Sequence, residues 1–182
     1  MAVAAAAAAL PLCSKLAPFN PASEAAIDAA IRFIQLKPGE IAVDIGCGDG
    51  RVLLAIAASC PGAQAFGVEY NEELAARAHA RIDNAGILNA KVLCGDATLS
   101  ENQPAYANAV FVYLTPTGLA AILPYLESVV LPGGRVVSNA FRVPGWEERG
   151  LLRETFRDTH GLAAYCYALP LPDREEVELP AM

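Results

Sequence analysis

The sequence predicts an α/β fold: a doubly wound, mostly parallel seven-stranded sheet with helices on both faces and an antiparallel C-terminal hairpin. Three observations predict it. Short apolar runs alternate with segments of helical periodicity. The first apolar run breaks into a glycine-rich loop, and the last two runs alternate apolar and polar residues.

The first unit of the alternation spans residues 23–57. Apolar residues recur at helical spacing over residues 27–34, with Ser23 as the predicted N-cap and residues 37–39 (Lys-Pro-Gly) as the stop. Residues 41–45 (Ile-Ala-Val-Asp-Ile) predict the first strand. The glycine-rich loop and a second helix follow, which gives the order helix, strand, loop, helix.

The same alternation continues to residue 138. The further predicted strands of the parallel part are residues 64–68, 91–94, 108–114 and 135–138. A helix is predicted from Asn71 to a cap at Gly86, and another follows the fourth strand with a kink or restart at Pro124. Helical crossovers of this length place consecutive strands parallel in one sheet.

The C-terminal part has a different pattern. Residues 152–157 and 163–169 are predicted to pair as an antiparallel hairpin that turns near His160. We expect one folded domain over residues 19–170, an alanine-rich, disordered tail over residues 1–18, and an acidic tail over residues 171–182.

Composition narrows the class of function. The net charge of −7 offers no general attraction for phosphate backbones, so a nucleic-acid partner is not expected. No apolar stretch is long enough to span a membrane, and the five scattered cysteines show no metal-ligand spacing. We therefore expect a soluble protein without a metal site in a reducing compartment, the cytoplasm, with the mitochondrion as a weaker alternative.

The loop after the first strand carries glycines at positions 46, 48 and 50. Glycines let the backbone turn sharply and approach a ligand closely. The dinucleotide fingerprint GxGxxG would require a glycine at position 51, where this chain has Arg51. The spacing therefore disfavours a nicotinamide or flavin cofactor, although a nicotinamide oxidoreductase stays open as an alternative.

Acidic residues stand at the ends of the first three predicted strands: Asp44, Glu69 and Asp96. Ligands of open α/β sheets bind beyond the carboxyl ends of the strands. The carboxylate of Glu69 can accept hydrogen bonds from both hydroxyls of a ribose, and that of Asp96 can accept one from the exocyclic amine of adenine. Together with the loop, these acids predict an adenosine ligand that lacks a pyrophosphate.

Four segments resemble ordered motifs of class I, seven-β-strand methyltransferases that use S-adenosylmethionine. They are VDIGCGDGR at 43–51, GVEYNEEL at 67–74, GDA at 95–97 and LPGGRVVSN at 131–139. Pro18–Pro21, the DGR element, Phe141 and Trp146 are similar to a narrower group. That group contains the lysine methyltransferases of the ATP synthase c-subunit and the adenine nucleotide translocase, with their small bacterial relatives.

The resemblance implies S-adenosylmethionine as cofactor and a Rossmann-like methyltransferase domain over residues 19–170. The residues it implies for cofactor binding are Asp44, Gly46, Cys47, Gly48, Gly50, Glu69, Tyr70, Asp96 and Ala97. Tyr113, at the end of the fourth strand, is our candidate for orienting the nucleophile. We expect Cys47 to fill space in the loop, since no histidine lies near it in sequence to activate the thiol.

The acceptor is the least determined part of the prediction. The resemblance favours a protein lysine amine, and the alternatives are a small-molecule acceptor or a cofactor-binding module without activity. Two departures matter. No hydrophobic membrane-anchor segment is present, which disfavours a membrane-embedded substrate, and residues 113–116 read Tyr-Leu-Thr-Pro instead of the Asn-Pro-Pro-Tyr of adenine and glutamine methylases.

Overall fold

A computed structural model describes residues 16–171. Its sheet has seven strands in the order β3-β2-β1-β4-β5-β7-β6. The strands are β1 Ile41–Ile45, β2 Gln64–Glu69, β3 Ala90–Cys94, β4 Ala107–Val112, β5 Val130–Asn139, β6 Leu152–Arg157 and β7 Ala163–Ala168. The helices are α1 Glu24–Ile34, α2 Arg51–Ser59, α3 Glu72–Ala85 and α4 Pro116–Val129.

The predicted fold class is confirmed. Strands β1 to β5 pair in parallel, whereas β7 pairs antiparallel with both β5 and β6. One apolar cluster lies against α4 and a second lies against α1 and α2, so helices cover both faces of the sheet. The chain places β2 and β3 on one side of β1 and then returns to place β4 and β5 on the other side. The strand order therefore reverses beside β1, and ligands of α/β sheets bind at such a reversal.

Helix α1 begins at its predicted cap, and helix α3 begins and ends at its predicted caps. Ser23 Oγ accepts a hydrogen bond from the Ala26 amide at 3.3 Å, and Asn71 Oδ1 accepts one from the Leu74 amide at 3.1 Å. Helix α3 ends at Gly86 in the left-handed conformation, as predicted. Helix α1 ends earlier than its predicted stop, because Gln35 itself takes the left-handed conformation with φ of 42°.

Two elements differ from their sequence predictions. Helix α4 runs without interruption through Pro124, and Thr115 caps it by accepting the Gly118 amide at 3.1 Å. Strand β5 begins at Val130 and not after the predicted glycine turn. The pairing with β4 shifts between Ala107 and Ala109, so the segment that contains Gly133 and Gly134 is an irregularity within the strand.

Helix α1 has a position that matters for the site. Its first turn lies at the carboxyl edge of the parallel strands, because the Ser23 hydroxyl donates to Asp158 in the β6–β7 turn at 3.0 Å. Its last turn lies toward the opposite edge, where Arg135 Nε donates to the Ile34 carbonyl at 2.7 Å. The segment that leads into α1, residues 16–22, therefore lies at the carboxyl edge as well.

Candidate active site

A cavity of about 370 Å³ opens at the carboxyl edge of β1, β2 and β4. It gathers nine of the ten residues that the sequence singled out, from four separate segments. These residues are Asp44, Gly46, Cys47, Gly48, Glu69, Tyr70, Asp96, Ala97 and Tyr113. The tenth, Gly50, is not among the residues that line the cavity.

The glycine loop is held in a tight turn by backbone hydrogen bonds. The amides of Gly46 and Cys47 both donate to the Val68 carbonyl, at 2.8 and 3.1 Å. Gly46, Gly48 and Gly50 all have positive φ, which side-chain-bearing residues rarely adopt. Cys47 is buried, and a Cβ built on Gly67 would stand 2.7 Å from its sulfur, so the thiol fills the space beneath the loop.

Gly50 has a packing role that the sequence alone does not reveal. A Cβ at this position would lie 2.8 Å from the Ala78 Cβ on α3, and φ is 77°. Helix α2 begins directly after Gly50, so this contact sets how closely α2 and α3 approach each other.

We therefore expect Gly50→Ala to lower the free energy of unfolding by about 2–4 kcal/mol, the sum of left-handed strain and the steric overlap. Gly39→Ala is the matched control, because Gly39 has φ of 83° but nothing within 4 Å of its built Cβ. Chemical denaturation of both variants separates strain from packing. An equal loss in the two variants would show that the Ala78 contact contributes nothing.

Glu69 ties the end of β2 to the glycine loop. Its Oε2 accepts a hydrogen bond from the Gly48 amide and its Oε1 accepts one from the Asn71 amide, both at 2.8 Å. The residue is buried. The carboxylate is thus held in one orientation in the cavity wall, and each oxygen retains a lone pair for a ligand hydroxyl.

Asp44, near the end of β1, is 2% exposed and its Oδ2 has no hydrogen-bond partner within residues 16–171. Burial, together with the nearby charges of Glu69 and Asp49, raises the pKa of this carboxyl to about 8. A buried polar atom without a partner is rare in native proteins. A cationic ligand group in the cavity would supply both a partner and a compensating charge.

An acid that the sequence analysis did not select, Asp49, also lines the cavity. It accepts hydrogen bonds from Arg51 Nε at 3.0 Å, from Arg51 Nη2 at 2.8 Å and from Arg81 Nη2 at 2.8 Å. The hydrogen bonds from Arg51 lower the pKa of Asp49, with both guanidinium charges contributing. Asp49 therefore joins the glycine loop to α3 and fixes Arg51 at the cavity wall. Its position between Gly48 and Gly50 was the sequence feature from which its place in the cavity could have been predicted.

Asp96 and Ala97 form the wall beyond β3. Asp96 Oδ1 accepts from the amide and the hydroxyl of Thr98, at 2.8 and 2.7 Å, so this oxygen closes a local turn. The Asp96 carbonyl accepts from Asn102 Nδ2 at 2.9 Å. Ala97 is buried. The turn is therefore fixed by its own hydrogen bonds, and the carboxylate is presented from a rigid loop.

Residues 16–22 also line the cavity, and the sequence analysis assigns three of them to the N-terminal tail. Residues 1–15 and 172–182 of the two predicted tails lie outside the described residues. The Leu16 carbonyl accepts from the Thr115 amide and hydroxyl, at 3.1 and 2.7 Å. It passes so close to α4 that a Cβ on Gly118 would be 2.2 Å from it. Only glycine at position 118 allows this docking.

Two residues of this segment contact the glycine loop and Tyr113, the residue that follows β4. A Cβ on Gly48 would stand 2.6 Å from the Phe19 ring, which therefore rests directly on the loop. Asn20 Nδ2 donates to the Tyr113 hydroxyl at 2.7 Å. Trp146, another aromatic residue of the narrower resemblance, is 1% exposed and packs edge-on against Tyr167 in the core.

A family model for the ANTKMT methyltransferase domain matches residues 44–150, which run from the end of β1 through β5 and include most of the cavity wall. The chain belongs to this family. The predicted methyltransferase activity and its cofactor, S-adenosylmethionine, are thereby confirmed.

Proteins with curated names are similar over most of this chain. A protein-lysine N-methyltransferase of Saccharolobus islandicus is 29% identical over 137 residues, which cover 75% of this chain and 84% of that protein. The adenine nucleotide translocase lysine N-methyltransferase of Mus musculus is 31% identical over 75% of this chain and 58% of its own length. The mouse lysine N-methyltransferase of the ATP synthase c-subunit is 32% identical over 71% and 51%. The match thus spans little more than half of either mouse protein.

Among solved structures, an RNA methyltransferase of Salinibacter ruber in complex with S-adenosyl-L-homocysteine superposes with a TM-score of 0.73. It is 24% identical, and the superposition covers 87% of this chain and 99% of that one. This similarity establishes the fold.

No helix within residues 16–171 has the length and apolar character needed to cross a bilayer.

Proposed function

We propose that the protein transfers the methyl group of S-adenosylmethionine to the side-chain amine of a protein lysine. The observation that carries the acceptor class is the set of similar proteins described above, three of which are named lysine N-methyltransferases. The acceptor protein itself is not identified by these names. The proposed acceptor also agrees with the net charge of −7, which does not favour an RNA acceptor.

The cavity residues fit the cofactor. The buried carboxyl of Asp44 would receive the ammonium group of the methionine part, and Gly46, Cys47 and Gly48 would leave room for its backbone. Glu69 would accept the ribose hydroxyls, beside Tyr70, while Asp96 and Ala97 would border the adenine. Gly50 would act indirectly by holding the loop against α3. When bound, this cofactor supplies a methyl group already activated by a sulfonium charge.

The acceptor end of the proposed site contains neutral hydrogen-bonding groups. The Tyr113 hydroxyl, held by the Asn20 amide, lies at the end of β4 on the cavity wall. A lysine must lose its proton before it can act as a nucleophile, and a site with little water favours the neutral amine. The tyrosine hydroxyl can accept one N–H of that amine and thereby orient its lone pair.

The proposed acceptor class is tested by incubating the protein with S-[methyl-³H]adenosylmethionine and a cell extract. Amino-acid analysis of the labelled protein fraction should give N-methyllysines. Label confined to small solutes would favour the alternative of a small-molecule acceptor, and label confined to nucleic acid would contradict the charge argument.

The four cysteines within residues 16–171 are free thiols, which supports the proposed reducing compartment.

We expect Tyr113→Phe to lower kcat about 10- to 100-fold with little change in cofactor affinity, because only the orienting hydroxyl is lost. Tyr106→Phe is the matched control, since Tyr106 is exposed and does not line the cavity. Steady-state methylation kinetics check the effect. Unchanged turnover in the Tyr113 variant would remove this residue from the acceptor site.

A further inference from the structure

Asn139, the last residue of β5, has an unsatisfied side chain. It is 1% exposed, and neither Oδ1 nor Nδ2 has a hydrogen-bond partner within residues 16–171. Burying an unpaired amide costs about 1–3 kcal/mol per group, and asparagine is disfavoured in strands. A valine would suit this position better if it served the fold alone. The amide therefore requires a partner that residues 16–171 do not provide.

The sheet register places Asn139 beside the proposed acceptor site. Val112 of β4 pairs in parallel with Ser138 of β5, so the next residues along the two strands, Tyr113 and Asn139, are neighbours at the carboxyl edge. Side chains alternate between the faces of a sheet. Phe111 and Val137, two residues earlier on each strand, belong to one core cluster, and Tyr113 packs against it. Asn139 and Tyr113 thus lie on the same face.

The start of α1 covers this part of the face. Ser23 is bonded to Asp158 beside the β6–β7 hairpin, and the opposite neighbour of Asn139 in the sheet is Ala164 of that hairpin. The segment that enters α1 carries Asn20, which is bonded to Tyr113. The Asn20 amide, on the covering segment, is thus bonded to the Tyr113 hydroxyl, whereas Asn139, next to Tyr113 in the sheet register, is not among the residues that line the cavity.

We propose that Asn139 binds the acceptor amine, an inference that rests on the proposed lysine methylation. The acceptor side chain enters at the Asn20–Tyr113 contact and displaces the covering segment there. The Asn139 carbonyl oxygen then accepts one N–H of the neutral amine and the Tyr113 hydroxyl accepts the other, which leaves the nitrogen lone pair for the methyl group. Binding of the acceptor gives Asn139 Oδ1 a partner, so part of the free energy of binding comes from pairing that oxygen.

The test is Asn139→Val, assayed with the protein fraction of the extract as acceptor. We expect kcat/KM for the acceptor to fall at least 10-fold, S-adenosylmethionine affinity to stay within twofold, and the melting temperature to stay equal or rise. A merely structural asparagine would give the opposite signature: a lower melting temperature with acceptor kinetics unchanged for the folded fraction. That result overturns the inference. Should the valine variant not fold, Asn139→Ser serves for the same kinetic comparison.

Asn108→Val is the matched control. Its Oδ1 accepts the Ile41 amide at 2.9 Å near the opposite end of β4, so this amide is satisfied within the fold. We expect a lower melting temperature and unchanged acceptor kinetics. The failures remain distinguishable: if the wild-type protein labels no lysine, the proposed function fails, whereas equal lysine labelling by wild type and Asn139→Val sinks only this inference.

Discussion

Replacing Glu69 by alanine is expected to reduce S-adenosylmethionine affinity by at least about 100-fold. The carboxylate accepts the amides of Gly48 and Asn71, so its removal leaves two backbone donors of the cavity wall without their partner. It also removes the acceptor proposed for two ribose hydroxyls. Each hydrogen bond to a charged group contributes about 1.5–3 kcal/mol, and the loss of two or more reaches this fold-change. Isothermal titration calorimetry measures it directly.

Two further variants separate charge from shape at this position. Glu73→Ala, on the exposed first turn of α3, removes the same charge without touching the cavity and should bind normally. Glu69→Gln keeps the shape but turns an amide group toward one of the two backbone donors, so an intermediate loss is expected. Binding by Glu69→Ala within threefold of wild type would contradict the proposed cofactor orientation.

The parts of the fold that sequence reasoning predicted are those with local signals. Strand β1 was predicted with its observed ends because an apolar run meets a glycine loop at Ile45. The caps at Ser23, Asn71 and Gly86 depend on the capping residue and on residues no more than four positions away. The acids at strand ends were predicted because parallel strands bring their carboxyl ends to one edge, whatever the intervening helices contain.

The parts that sequence reasoning missed depend on contacts between distant segments. Arg81 reaches Asp49 across 32 positions, and the Leu16 carbonyl reaches Thr115 across 99. Asn139 directly follows a strand that the sequence predicts over residues 135–138, and its unpaired amide is evident only once the neighbouring strands and α1 are in place. Such features need the register and the packing of helices, which periodicity does not specify.

Cofactor affinity is expected to rise about tenfold per pH unit between pH 6 and pH 8. In the free protein burial raises the pKa of Asp44 to about 8, so below that pH the carboxyl is protonated and must lose its proton to pair with an ammonium group. Above about pH 8 an α-amino group itself loses its charge, so affinity should be maximal near pH 8. Calorimetry across this range measures the profile.

Asp44→Asn should remove this pH dependence together with most of the affinity, because an amide cannot take up the negative charge that the ammonium group selects. The free energy of unfolding of the wild type should change with pH in the direction opposite to the cofactor affinity. The folded state keeps a proton on Asp44 between pH 4 and pH 8, whereas the unfolded chain, with a carboxyl pKa of 3.8, has already released it. Wild-type stability therefore falls relative to Asp44→Asn as pH rises through this window and levels off above pH 8. Asp83→Asn, an exposed change on α3, should alter neither profile, and a wild-type affinity that is flat between pH 6 and pH 8 would remove Asp44 as the ammonium partner.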